Sequence, residues 1–149
     1  MKFMKLVSEG KITNYSLEKL NFEKEIDKQG KIDDVLSPND TILTQIIKEP
    51  ISTKGPRISS ELSFAGRFLV LIPLSNRISV SQKIKSKKER DRLKKLIEEF
   101  RPKGFGVIIR TVAQGKKVAE LEKDLQGLYN QWLSLCSKIN GAKTPSRIL

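Results

Sequence analysis

Residues 86–111 read SKKERDRLKKLIEEFRPKGFGVIIRT, and the fold turns on this stretch. Ser86 followed by Glu89 is a capping-box signature: the serine accepts from a backbone N–H and the glutamate reaches back to the serine's own N–H. Leu93, Leu96, Ile97 and Phe100 then share one helical face, with Lys94, Lys95, Glu98 and Glu99 on the other. Arg101-Pro102-Lys103-Gly104 stops that helix. Phe105–Thr111 follows as a near-continuous apolar run, the pattern of a buried strand. A helix that feeds directly into a buried strand points to helices packed on a sheet.

Downstream, Gly115-Lys116-Lys117 leads into a long helix whose apolar positions are Leu121, Leu125, Leu128, Trp132, Leu135 and Ile139. Their alternating four- and three-residue spacing is a packing seam, which assigns Trp132 to core or interface rather than to base stacking. Upstream, Arg67–Leu74 is a second buried strand, and Arg77–Ile84, just past Ser75-Asn76, is expected to be its hairpin partner. Ala65-Gly66 breaks the chain ahead of it. Arg57–Ser63 alternates loosely as a half-exposed strand, and the β-branched Thr41–Lys48 is a further strand ended by Glu49-Pro50. Residues 1–35 are irregular, without a sustained period. The expected class is α+β: a small mixed or antiparallel sheet with two helices. The domain division is expected near residues 50–56, giving 1–50, 51–140 and a linker or tail over 141–149.

Composition narrows the chemistry. The 149 residues include 29 Lys+Arg against 17 Asp+Glu and no His, a net charge of +12. Without histidine, His-based acid–base catalysis and His-ligated metal sites are excluded. Cys136 is the single cysteine, so neither an intramolecular disulfide nor a thiolate cluster can form, in keeping with a reduced, cytoplasmic setting. The longest apolar run, Phe68–Pro73, falls far short of the roughly 18–20 residues of a membrane span. The basic excess lies entirely after residue 49, where 21 basic side chains face 8 acidic ones, and it peaks over Lys83–Lys103 with ten against four. Such a field captures polyanions, nucleic acid first among them. A solvated lysine-rich helix face would carry the same charge.

Four groupings bear on chemistry. The carboxylate pairs Asp33-Asp34 and Glu98-Glu99 lie in a turn-like stretch and on a solvent face, poor settings for catalytic metals. Ser, Thr and Cys nucleophiles lack a histidine base. Arg110-Thr111 ends the apolar run Val107-Ile108-Ile109, where a stiff backbone can aim a forked guanidinium and a hydroxyl at a terminal phosphate. An arginine leaving the core to pair with a helix glutamate fits the same position. Gly66 permits either a plain bend or the close approach of a ligand.

In order and spacing, KEPISTKGPRISSELSFAGRFLVLIP, ISVSQKI, ERDRLKKL, GFGVIIRT and LEKDLQGLYNQW resemble the bacterial ribonuclease E/G family, and more narrowly its ribonuclease G-like branch. The resemblance runs from about Val35 to Trp132. It implies the end of an OB-fold RNA-binding domain over 1–50, in partial form, followed by the family's 5′-sensor subdomain over 51–140. Family members are metal-dependent endoribonucleases of single-stranded RNA, active in rRNA maturation and mRNA decay, with a preference for 5′-monophosphorylated substrates. By the same resemblance Arg110 and Thr111 are the phosphate-gripping pair. Gly66 and Val70 are pocket positions at the first nucleotide, and Lys54, Arg57 and Lys83 lie along the RNA path. Gln82-Lys83 stands where some members carry Arg-Arg, so Lys83 is the cation at that pair.

The expectation is therefore a catalytically inactive fragment that binds 5′-monophosphorylated single-stranded RNA and holds no cofactor, magnesium belonging to a catalytic subdomain outside the chain. Two other readings fit the residues. One is a stand-alone basic RNA- or ribosome-binding protein indifferent to the 5′ end. The other is an interaction piece docking on a partner, or on itself, through Leu121–Ile139.

Overall fold

The computed structural model of the chain describes residues 30, 31, 33, 37–139 and 142–149. Most of the irregular stretch expected over 1–35 lies outside them. The described elements run β1 (Gln45–Lys48), β2 (Arg57–Ser59), β3 (Phe64–Ala65), β4 (Leu69–Pro73), β5 (Ile78–Val80), α1 (Lys87–Phe100), β6 (Phe105–Ile109), a single 3-10 turn (Thr111–Ala113) and α2 (Val118–Ile139). The architecture is α+β, as the residue pattern indicates.

Two sheets form among the described residues. The antiparallel β1–β2 hairpin stands apart from a four-stranded sheet of order β3-β4-β6-β5. The Gln45 side chain ties the two together: its amide accepts from the Ser63 N–H at 2.9 Å and donates to the Ser63 carbonyl at 3.0 Å, imitating a strand partner. The run Arg57–Ser63 is thus divided, its first residues belonging to the hairpin and Phe64–Ala65 opening the larger sheet.

The expected hairpin between Arg67–Leu74 and Arg77–Ile84 does not form. β6 lies between them, antiparallel to β4 (Leu69↔Ile109, Leu71↔Val107) and parallel to β5 (Ile78↔Val107, Val80↔Ile109). A parallel pair needs a crossover longer than a tight turn, and α1 supplies it. The apolar content of Phe105–Ile109 suits it to the interior position between two strands, which leaves the shorter, half-buried β5 at the edge.

Strand alternation separates the two faces of the sheet. Leu69, Leu71, Val107 and Ile109 point one way and are fully buried beneath both helices. Leu93 and Ile97 of α1 and Leu121, Leu125, Leu128, Trp132, Leu135 and Ile139 of α2 meet them, so the predicted seam is the core seam. Trp132 is wholly buried and makes edge contacts with Phe64 (6.3 Å between centroids) and Phe105 (5.8 Å). On the opposite face lie Ala65, Val70 and Ile108. Ile108, expected to be buried with its neighbours, is 38% exposed, because no helix among the described residues covers that side. In the tail, Ile148 packs against the core.

The capping box at α1 is half realised. Ser86 Oγ accepts from the Glu89 N–H at 3.3 Å. The Glu89 carboxylate turns away, taking Arg92 in a two-point pair at 2.7 Å for each bond and the Gly115 N–H at 2.8 Å. A guanidinium fork and a free amide outcompete one N–H at the cap.

Candidate functional site

Three loops converge where β5 and β6 end and β4 begins: residues 66–68, 81–84 and 110–117. The parallel register sets this up, because Val80 and Ile109 are partners and the chain leaves both strands at the same edge. Two backbone bonds extend the ladders into the loops, Arg110 N–H to the Phe68 carbonyl and Ser81 N–H to the Ile109 carbonyl, both 2.9 Å.

Arg110 follows β6 in an extended conformation (φ −79, ψ 161). Alternation therefore directs it to the side of Ile108, away from the helices. It is exposed, and Nη1 donates to the Gly66 carbonyl at 2.6 Å. This is a backbone anchor rather than an ion pair with a helix glutamate, so one arm of the guanidinium is fixed while other N–H groups of the fork face outward. Thr111 is exposed beside it, its Oγ1 sharing a hydrogen with Ser81 Oγ at 2.9 Å. Val70 is half-buried on the same face, paired in register with Ile108 and Ala65. The group thus joins cationic, hydroxyl and apolar surface at one sheet edge.

A side chain from α2 approaches Gly66 closely. A Cβ there would sit 2.6 and 2.8 Å from the Asp124 carboxylate oxygens. Asp124, on α2, accepts from three successive backbone N–H groups, Arg67 at 3.1 Å, Phe68 at 2.8 Å and Leu69 at 2.9 Å. This carboxylate fixes the loop whose Gly66 carbonyl in turn holds Arg110. Asp124 lies within the block LEKDLQGLYNQW without being singled out there, although one signal is present: it falls on the same helical stripe as Leu121, Leu125 and Leu128. A carboxylate on a packing stripe requires donors.

Sequence reasoning also passes over Ser81 and Arg90, and it gives Glu89 a capping role alone. Arg90 Nη1 donates to the Ser81 carbonyl at 2.7 Å and the Ile84 carbonyl at 3.3 Å, clamping the turn after β5. Glu89 holds Gly115, whose φ of +72 suits glycine, and Arg92 Nη2 adds a bond to the Lys116 carbonyl at 3.3 Å. The Arg92 guanidinium and the Gly115 N–H hold the Glu89 carboxyl down at about 2, against an ordinary 4.5.

The cations of Lys83–Lys103 divide by type. Arg90, Arg92 and Arg101 engage their forks inside the molecule, Arg101 on the Phe105 carbonyl at 2.7 Å. Lys83, Lys85, Lys87, Lys88, Lys94, Lys95 and Lys103 are exposed. Lys54 and Arg57 are exposed on the β1–β2 hairpin, and among the described residues no hydrogen bond or ion pair joins their side chains or that of Lys83 to the Arg110 group. Arg67 and Lys116 lie 5.1 and 5.5 Å from the centroid of the Phe68 ring, adding cations near Gly66. Of the carboxylate pairs weighed for metal binding, Asp34 lies outside the described residues and Glu98 and Glu99 are solvent-exposed. A hollow of about 450 Å³ between the end of α1 and α2, lined by Phe100, Pro102, Leu125 and Tyr129 among others, includes none of the Arg110 group. Cys136 is buried, its thiol pushed up to about 12 by that burial.

Comparison with known proteins gives a consistent result. Residues 63–149 match the model of the ribonuclease E/G family. The chain is 36% identical over 115 residues to ribonuclease E of Nostoc sp., covering 77% of this chain and 17% of that protein. It is 35% identical over 121 residues to ribonuclease G of Haemophilus influenzae, covering 81% and 25%. With a chloroplastic ribonuclease E/G-like protein of Arabidopsis thaliana it shares 42% over 101 residues, covering 68% and 10%. The matched stretch is thus a quarter or less of each of these relatives' length.

Proposed function

The chain belongs to the ribonuclease E/G family, and from that premise we propose that it is an RNA-binding portion of such an endoribonuclease that recognises a 5′-monophosphate. The observation that carries this reading is the Arg110 guanidinium, braced through one N–H on the Gly66 carbonyl beside the Thr111 hydroxyl. A fork with one arm fixed loses little freedom when its remaining donors meet a phosphate. Val70 and Ile108 on the same face give the first nucleotide an apolar surface. The exposed lysines of α1 and its flanks attract the rest of the strand without regard to sequence.

A monophosphate matches one guanidinium and one hydroxyl. A 5′-hydroxyl offers no charge to either. Hydrogen bonds to charged groups contribute about 1.5–3 kcal/mol each, so the 5′-phosphate should raise affinity about ten- to a hundredfold.

Fluorescence anisotropy on one short RNA carrying either a 5′-monophosphate or a 5′-hydroxyl tests the reading. The native chain should prefer the phosphorylated strand, and Arg110→Ala should remove that preference while retaining salt-sensitive binding. Equal affinities in the native chain would instead support a basic RNA-binding module indifferent to the end, a reading favoured by the row of exposed lysines.

A further inference from the structure

We propose that Ser81 is a positioning residue of this anion site, holding the Thr111 hydroxyl with its proton directed outward to the phosphate. The inference rests on the phosphate-recognition reading above and assigns a role to a side chain that touches Thr111 rather than the ligand.

The two hydroxyl oxygens lie 2.9 Å apart, and either could donate. The choice matters to an anion. If Thr111 donates to Ser81, its single proton is used and only lone pairs face the phosphate. If Ser81 donates to Thr111, the threonine proton is free for a phosphate oxygen. The turn after β5 favours the second arrangement. The Lys83 backbone N–H, which can only donate, approaches Ser81 Oγ at 3.4 Å and occupies an accepting position there. One of the two acceptor positions on the serine is then taken; in the arrangement proposed its proton goes to Thr111, so that the series Lys83 N–H, Ser81 O–H, Thr111 O–H runs in one direction. Hydrogen bonds aligned this way polarise one another, which strengthens the last donor.

Ser81 is also unusually well fixed for an exposed edge. Its N–H donates to the Ile109 carbonyl at 2.9 Å, and its carbonyl accepts from the Ile84 N–H at 3.1 Å and from Arg90 Nη1 at 2.7 Å. Every polar backbone atom of the residue is engaged, so the hydroxyl is presented from a rigid turn. Thr111 is exposed, and its carbonyl accepts from the Gln114 N–H at 3.1 Å in the 3-10 turn.

The test is a double-mutant cycle read by anisotropy with 5′-monophosphate and 5′-hydroxyl RNA on the native chain, Ser81→Ala, Thr111→Val and the double variant, with Ser81→Thr as the conservative control. Ser81→Ala should weaken binding of the phosphorylated strand about three- to tenfold and leave the hydroxyl strand unchanged. Ser81→Thr should retain the preference. In the Thr111→Val background Ser81→Ala should have no further effect, because the serine acts only through the threonine. Additive losses, equal weakening of both strands, or full preference in Ser81→Ala would each overturn the inference. If the native chain prefers the phosphorylated strand and Arg110→Ala abolishes that preference, such a result leaves phosphate recognition standing. No preference in the native chain removes both.

Discussion

At Gly66 a side chain would have to share its place with a carboxylate. The Asp124 oxygens stand within 2.8 Å of where a Cβ would lie, and three backbone N–H groups prevent them from retreating. Gly66→Ala should therefore destabilise the fold by about 1–3 kcal/mol in urea titration, the range for overpacking. Asp124→Asn should cost about 2 kcal/mol, since an amide has one oxygen for three donors and presents N–H groups of its own to them. Glu89 makes a pH-dependent contribution. Its carboxyl titrates near 2 in the folded chain and near 4.5 when unfolded, so its stabilisation is complete above pH 4.5 and is lost as pH falls toward 2. Glu89→Gln should flatten the acid limb of a melting-temperature profile in that window and lower stability at neutral pH.

Elements are legible in the sequence where a period is long, and illegible where only pairing decides. The seam Leu121–Ile139 spans the whole of α2 and fixes its buried face by itself, Trp132 included. Trp132→Ala should cost about 3–5 kcal/mol by chemical denaturation, because both aromatic edge interactions and a full indole volume disappear from the centre of the core. The strands behave otherwise. Nearness in sequence suggests that Arg77–Ile84 folds back on Arg67–Leu74, yet a three-residue strand has too little pattern to specify its partner, and the parallel place beside β6 comes from the crossover through α1. Arg110 and Thr111 can be chosen from their place at a strand end. Ser81 and Asp124 cannot, because their importance comes from residues 30 and 55–57 positions away.

Over the whole molecule, arginine and lysine have separate duties. The arginines of α1 and its C-cap are bound to backbone carbonyls and to Glu89, whereas the lysines of the same region stand in solvent. Replacing Lys87, Lys88, Lys94 and Lys95 with glutamine should lower the slope of log affinity against log salt by up to about 0.7 for each phosphate of a single-stranded RNA that these lysines neutralise. The preference for a 5′-monophosphate should persist in that variant. Anisotropy titrations at several salt concentrations measure both quantities, and a slope that does not change would mean that the strand takes another route.

The bonds Arg110–Gly66 and Ser81–Thr111 span 44 and 30 residues of chain. No short peptide can therefore rehearse this arrangement, and it comes into being only as the sheet closes. Deuterium uptake at the Ser81 and Arg110 amides, each bonded across the sheet edge, should accordingly follow the global opening of the molecule rather than local fraying. On the proposed reading, an RNA end docking there would gauge how much of the population is fully folded.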